Sequence, residues 1–206
     1  MITAVILAGG QSSRMGQDKA SLPFGDETML ARVVRLAGSV ADDVVVVARD
    51  GQFGDGNSLP ELPARIVHDP VAHLGPLAGI ATGLAASTTD INLVIACDMP
   101  LVNPDVLRRL IELREDADIC VAVVDGHASP LCAVYRRAAG ATAQTMLASG
   151  ERRVMALLDQ VQTKRVDAAV FRDIDPQLDT FLSCDTPEAY QQALRTGSAA
   201  RPGSGA

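Results

Sequence analysis

Residues able to grip a polyphosphate crowd the start of this chain. Ala4-Val-Ile-Leu-Ala-Gly-Gly-Gln-Ser-Ser-Arg-Met-Gly-Gln-Asp-Lys19 joins a short apolar run to three glycines, an arginine and a lysine. Glycine lets the backbone approach a ligand closely and turn several N–H groups the same way. Arg14 and Lys19 add positive charge beside that backbone. The spacing is not that of the two commonest phosphate loops. Gly16 is followed by Gln17 where G-x-x-x-x-G-K-[ST] needs lysine, and Gly9, Gly10 and Gly16 do not make G-x-G-x-x-G. An ordinary turn after a first strand is the alternative. The clustering of Gly-Gly, Arg and Lys in one loop favours the phosphate cradle.

Asp98 follows a run that must be buried, in Val94-Ile-Ala-Cys-Asp-Met-Pro100. A carboxylate there either caps the following turn or ligates a cation. A triphosphate held in the first loop brings a magnesium ion with it, and Mg2+ takes one or two carboxylates plus phosphate oxygens. Asp69 ends another apolar run, Val67-His-Asp-Pro70, and Gly75-Pro-Leu-Ala-Gly79 opens a helix soon after. Glycines at a helix start admit a flat ring or a phosphate, and the helix N-terminus favours negative charge. Helix–sheet packing, with Asp69 as a turn residue, is the competing explanation. Gly150-Glu-Arg-Arg-Val-Met155 either holds Arg152 or Arg153 over an anionic substrate or leaves the pair solvated. Nothing in the spacing of His73 and His127 demands catalysis.

Elements that alternate must position these groups. Strands are expected at residues 3–7, 43–48, 65–68, 91–96, 119–124 and 163–166, with 131–135 returning as a hairpin partner after Asp125-Gly126. Pro130 suits the start of that returning strand. Helices are expected at 28–37, 76–87, 104–115, 138–148, 153–158 and 186–194, with Thr28, Asn103 and Thr186 as caps. Residues 51–63 read as an exposed loop. This β-α alternation predicts an α/β, three-layer sandwich: a mostly parallel, Rossmann-like sheet with helices on both faces. Ligands of such sheets bind outside the carboxyl ends of the strands, where the first loop, Asp69 and Asp98 all fall.

Composition narrows the classes further. The 206 residues suit one domain, read as 1–196 with a disordered Gly/Ser/Ala/Pro tail at 197–206. The chain is 48% hydrophobic but only 3% aromatic, so its core must be aliphatic, as buried parallel strands require. A net charge of −7 argues against a nucleic-acid partner. No apolar segment approaches the length of a membrane span, and the N-terminus lacks the basic region of a signal peptide, so a cytoplasmic location is expected. Cys97, Cys120, Cys132 and Cys184 have no C-x-x-C spacing and read as reduced, buried thiols.

Six segments in order resemble the molybdenum cofactor guanylyltransferases. They are Leu7-Ala-Gly-Gly-x-x-x-Arg-Met-Gly-x-Asp-Lys19, Gly75-Pro-Leu-Ala-Gly79, Cys97-Asp-Met-Pro100, Ala133-Val-Tyr-Arg136, Gly150-Glu-Arg-Arg-Val-Met155 and Asp185-Thr-Pro-Glu188. The first marks the wider nucleotidyltransferase superfamily, and the last two narrow it. The resemblance implies the nucleotide-diphospho-sugar transferase type of the fold. It also implies a reaction in which the phosphate of molybdenum-molybdopterin attacks the α-phosphorus of Mg·GTP and releases pyrophosphate. The acceptor phosphate is itself the nucleophile, so positioning and charge stabilisation suffice.

Carried over residue by residue, Leu7, Ala8 and Gly9 hold the nucleotide through the backbone and Gly10 shapes the loop. Arg14 and Lys19 neutralise phosphates. Asp69 helps hold the nucleoside, Gly75 and Gly79 allow its close approach, and Asp98 binds Mg2+. Arg152 or Arg153 faces the pterin, with Asp185 on the same acceptor side. Other molybdenum-cofactor biosynthesis proteins and apo-molybdoenzymes are the further partners implied. Two positions depart from the family pattern. Ser183-Cys-Asp-Thr-Pro187 stands where Asn-x-Asn-Thr-Pro is usual, and Val47 stands where the second strand usually ends in asparagine. Rival readings are a cytidylyltransferase, or another nucleotidyltransferase for a small phosphorylated acceptor. A rival of another class is a non-catalytic nucleotide-binding protein that delivers cofactor.

Overall fold

Runs such as Val44–Val47 can be buried only if helices cover both faces of their sheet, and that is the arrangement observed. The computed structural model describes residues 1–9, 18–53, 62–69 and 74–199. Its strands are β1 (Ile2–Leu7), β2 (Pro23–Phe24), β3 (Glu27–Thr28), β4 (Asp43–Arg49), β5 (Arg65–Asp69), β6 (Ile91–Ala96), β7 (Ile119–Val124), β8 (His127–Arg136) and β9 (Thr163–Asp167). The helices are α1 (Met29–Gly38), α2 (Pro76–Ala86), α3 (Pro104–Leu113), α4 (Ala139–Ala148), α5 (Val154–Gln160) and α6 (Pro187–Ala199). Seven strands form one sheet in the order β5-β4-β1-β6-β8-β7-β9, with β8 antiparallel to both its neighbours. Among the described residues no helix is long and apolar enough to cross a membrane.

Strand alternation sorts the core into two layers. Ala4, Ile6, Val44 and Val46 face one side, against Leu30, Val33 and Val34 of α1 and Val106, Leu107 and Leu110 of α3. Val5, Val45 and Val47 face the other, against Leu77, Ile80 and Leu84 of α2 and residues of α4 and α5. α2 lies unusually close to the sheet, because a Cβ on Gly83 would stand 2.2 Å from Val5 Cγ1 and 3.1 Å from Val47 Cγ2. The expected caps are made. Thr28 Oγ1 accepts from Ala31 N, Asn103 Oδ1 from Asp105 N and Thr186 Oγ1 from Ala189 N, at 3.1, 2.9 and 3.2 Å.

Four expectations need correction. Strand β8 starts at His127 rather than at 131, because Asp125 and Gly126 both take positive φ (48° and 81°) and form a tight primed turn. Pro130 lies inside that strand, at an irregularity where β7 offers only Ala122 between the pairs Val121↔Ala133 and Val123↔Ala128. Proline has no ladder donor to lose there. Helix α6 continues through Ala199, so residues 197–199 are helical rather than tail. Gln52 is buried and not part of an exposed loop; residues 54–61 lie outside the described residues. The two-residue strands β2 and β3, with Gly25 between them at φ 69°, form a hairpin that alternation did not anticipate. From it Glu27 receives Arg35 and Arg32, and Arg32 Nε also donates to Pro100 O at 2.6 Å. The hairpin and α1 thus brace the turn that carries Asp98.

Candidate active site

The carboxyl ends of β1, β4, β5 and β6 lie side by side and open into a cavity of about 790 Å3. Leu7, Ala8 and Gly9 form its floor at the end of β1; Val47, Ala48 and Arg49 come from β4, and Asp69 from β5. Gly75, Pro76 and Gly79 bring the N-terminus of α2 to the same space, a favourable place for an anion. Opposite stand Ala128–Leu131 of β8, together with Phe181, Ser183 and Asp185. The irregularity in β8 is what frees residues 129–131 from the ladder to form this wall.

Backbone geometry accounts for two of the glycines. A Cβ on Gly9 would meet Arg49 N at 3.1 Å and the carbonyl carbon of Ala48 at 3.5 Å, so two main chains touch here. Gly75 caps α2 with φ 78°, a conformation that side chains disfavour. Gly79 is explained differently. The space its side chain would take is held by Leu7 Cδ2 at 3.2 Å, which makes it a packing contact between α2 and β1 at the cavity edge.

Three charged side chains meet at the centre. Lys19 Nζ lies 2.8 Å from Asp98 Oδ2 and 2.7 Å from Asp185 Oδ1. Lys19 and Asp98 are 16% and 14% exposed at their side chains, whereas Asp185 is 60% exposed. Burial acts to lower the Lys19 pKa, but the hydrogen bonds to Asp185 and Asp98 outweigh it and the net shift is upward. Asp185 is shifted down, chiefly by Lys19 and then by the hydroxyl of Ser183, which donates to it at 2.7 Å. Main-chain bonds fix the cluster. Cys97 N donates to Leu7 O, and Cys184 N donates to Asp98 O at 2.8 Å, which carries residues 183–185 to the sheet edge. The neighbouring thiols, Cys97 and Cys184, are buried. Burial and the Asp98 charge push Cys97 well above the usual thiol range and Cys184 up to about 12.

Leu7, Ala8, Gly9, Lys19, Asp69, Gly75, Gly79, Asp98 and Asp185 thus line one cavity. Gly10, Arg14 and His73 lie outside the described residues. Arg152 and Arg153 do not border the cavity as described. Arg153 is drawn onto Glu151, its guanidinium 2.6 Å from Oε2, and this contact pulls the Glu151 carboxyl down to about 2. His127 is exposed, with Nδ1 2.9 Å from Asp125 O. The residue reading missed Arg49, Phe181 and the β8 wall. Arg49 had a detectable signal, being the charged residue that ends an apolar strand; the others had none.

The MobA-like NTP transferase domain model matches residues 4–166. A relative from Carboxydothermus hydrogenoformans, named "Probable molybdenum cofactor guanylyltransferase", is 30% identical over 94% of this chain and 95% of its own. A relative of the same name from Mycobacterium marinum is 34% identical over 90% of this chain and 92% of its own. Among solved structures, molybdopterin-guanine dinucleotide biosynthesis protein A from Archaeoglobus fulgidus superposes with a TM-score of 0.83, covering 96% of this chain and 99% of that one at 24% identity. The 2-C-methyl-D-erythritol 4-phosphate cytidylyltransferase of Thermus thermophilus has the same fold, with a TM-score of 0.73 at 17% identity, covering 96% of this chain and 100% of that one. A family match that spans most of the sheet and both sides of the Lys19–Asp98 contact makes this chain a member of the MobA-like NTP transferases, a family of nucleotidyltransferases.

Proposed function

We propose that this chain transfers GMP from GTP to the phosphate of molybdenum-molybdopterin, forming the guanine dinucleotide and releasing pyrophosphate. The observation that carries the reading is the Lys19 ammonium, fixed beside Asp98 in a cavity floored by Gly9 and the start of α2. The names borne by the curated relatives support the choice of nucleotide and acceptor. A volume of about 790 Å3 lies within the range of small-molecule sites.

In this reading an acceptor phosphate oxygen attacks the α-phosphorus. A new P–O bond forms, the bond to the β-phosphate bridging oxygen breaks, and its electron pair leaves with pyrophosphate. Two anions must be brought together, so the protein's task is neutralisation and alignment. Lys19 and the N-terminal end of α2 supply positive potential, while the main chain of Ala8 and Gly9 lets the phosphates lie close. Gly75 and Asp69 border the nucleoside. Ala128–Leu131 and Phe181 wall the cavity beside these groups.

The donors fit magnesium. Asp98 and Asp185 offer hard carboxylate oxygens, and the Lys19 ammonium already stands between them as a cation. Asp98 would hold the ion, which supplies charge neutralisation on the triphosphate when bound.

Pyrophosphate release from GTP, CTP, ATP and UTP, with and without molybdenum-molybdopterin and magnesium, tests the proposal. GTP with the pterin should be turned over preferentially, and Asp98→Ala should abolish turnover without loss of fold. Preferential use of CTP reassigns the chain as a cytidylyltransferase. Nucleotide binding without pyrophosphate release marks a delivery protein. Undiminished activity in Asp98→Ala ends the metal assignment.

A further inference from the structure

Gln52 lies in a stretch whose composition reads as exposed loop, yet it is only 5% exposed. Its carboxamide spans three segments. Oε1 accepts from Arg49 N at 3.0 Å, and Nε2 donates to Ala8 O at 2.9 Å and to Asp18 Oδ2 at 2.9 Å. The network fixes which end is nitrogen, since a flipped amide would turn its oxygen to the Ala8 carbonyl and the Asp18 carboxylate.

Ala8 and Arg49 line the cavity, and Asp18 adjoins Lys19, which lines it too. Ala8 precedes Gly9 at the end of β1, and Arg49 ends β4. Asp18 precedes Lys19 and caps the 3-10 turn Lys19–Ser21, its Oδ1 accepting from Ala20 N at 3.1 Å. The other Asp18 oxygen is the one that Gln52 holds, with the Arg49 guanidinium farther off at 3.7 Å. The base of the lysine turn is therefore tied to the end of β1 through one buried amide. A lysine is a long, flexible lever, and its ammonium reaches a fixed point only if the backbone beneath it is fixed.

We infer that Gln52 is a positioning residue for nucleotide transfer: its carboxamide sets the distance between the Lys19 turn and the Gly9 strand end, and so the grip on the triphosphate. The inference rests on the proposed nucleotide site. A misplacement near 1 Å costs about 100-fold in reactions governed by alignment, so a single amide has room to matter.

The test uses the full chain and whichever nucleotide the wild type turns over. Gln52→Glu is isosteric, keeps the acceptor for Arg49 N, and presents oxygen where Ala8 O and Asp18 need a donor. The expected result is a rise in nucleotide KM of about tenfold or more, with acceptor KM unchanged. Gln52→Met, which removes the amide without adding charge, should raise the nucleotide KM in the same sense and serves if the glutamate variant does not fold. In Gln52→Glu/Asp18→Asn the polarity is reversed, because the new amide can donate to Glu while still capping Ala20. This double variant should recover part of the lost nucleotide affinity, since the contact to Asp18 is remade while the Ala8 carbonyl still lacks its donor. A merely structural clip would lower the melting temperature and leave KM untouched. Nucleotide KM within twofold of wild type in the folded Gln52→Glu and Gln52→Met variants overturns the inference. A wild-type chain that releases no pyrophosphate from any triphosphate instead overturns the site itself, and this inference with it.

Discussion

Replacing Lys19 by methionine keeps the stem and removes only the charge, which isolates what the ammonium does. Asp98 and Asp185 both lie within 2.8 Å of Nζ, so without it two carboxylates confront each other at close range. Like charges about 4.5 Å apart repel by about 4 kcal/mol at an effective dielectric near 20. Asp185 is 60% exposed, so solvent screening and rotation away from Asp98 reduce this to about 1–2 kcal/mol. For a domain of this size the melting temperature should fall by roughly 3–6 °C. The pH dependence follows from the two shifts. The Asp185 pKa is lowered, so its stabilisation is present above the unfolded-state value and is lost as pH falls through the folded one. The Lys19 pKa is raised, so its share is complete below the unfolded-state value and is lost only as pH rises through the folded one. Between those limits the deficit of Lys19→Met should be flat, and it should shrink below about pH 4 as a carboxylate takes up a proton. Millimolar magnesium should restore part of the deficit in the variant and act less on the wild type. Turnover of nucleotide should drop by about 100-fold or more if the Lys19 charge neutralises the phosphates as proposed. Scanning fluorimetry across pH, paired with pyrophosphate release, reads all of these. Unchanged melting, or a deficit that grows on acidification, refutes the electrostatic account. Retained turnover refutes the role at the phosphates.

Gly83→Ala should destabilise the fold by about 1–3 kcal/mol, because the added methyl lands 2.2 Å from buried Val5 Cγ1 and α2 must back away. Urea denaturation checks this, and a variant as stable as the parent would show that α2 is free to shift. Glu27→Gln should cost about 1 kcal/mol at neutral pH, since Arg35 and then Arg32 hold the Glu27 carboxyl below its usual range. Because that pKa is lowered, the contribution exists above the unfolded-state value and disappears as pH falls through the folded one. Wild type and variant should therefore converge at acid pH in thermal melts. A gap that persists below about pH 3 contradicts the ion-pair explanation.

Local rules read the strands well because burial on both faces demands aliphatic runs, and such runs have few other homes. Residues 91–96 and 119–124 were expected and found as β6 and β7, and Thr28, Asn103 and Thr186 cap their helices as side-chain chemistry requires. Boundaries slipped where a tertiary neighbour extends an element. β8 gains its early residues by pairing with β7, and α6 runs on to Ala199 past Gly197, where Phe24 fills the space of a Cβ. Chain order alone placed Asp69, Asp98 and the first loop at the same edge, since parallel strands all end on one side.

The residue types and their order determined the α/β layering and which groups face the ligand edge, because those depend on period and handedness. Only the tertiary structure decided that Lys19 pairs with Asp98 and with Asp185, a residue 166 positions away in the chain. Likewise it alone decided that Gln52 joins Ala8 to Asp18 and that Arg153 turns to Glu151 instead of the cavity. Such pairings depend on angstrom-scale distances between segments remote in the chain. A periodic pattern carries no information on those distances.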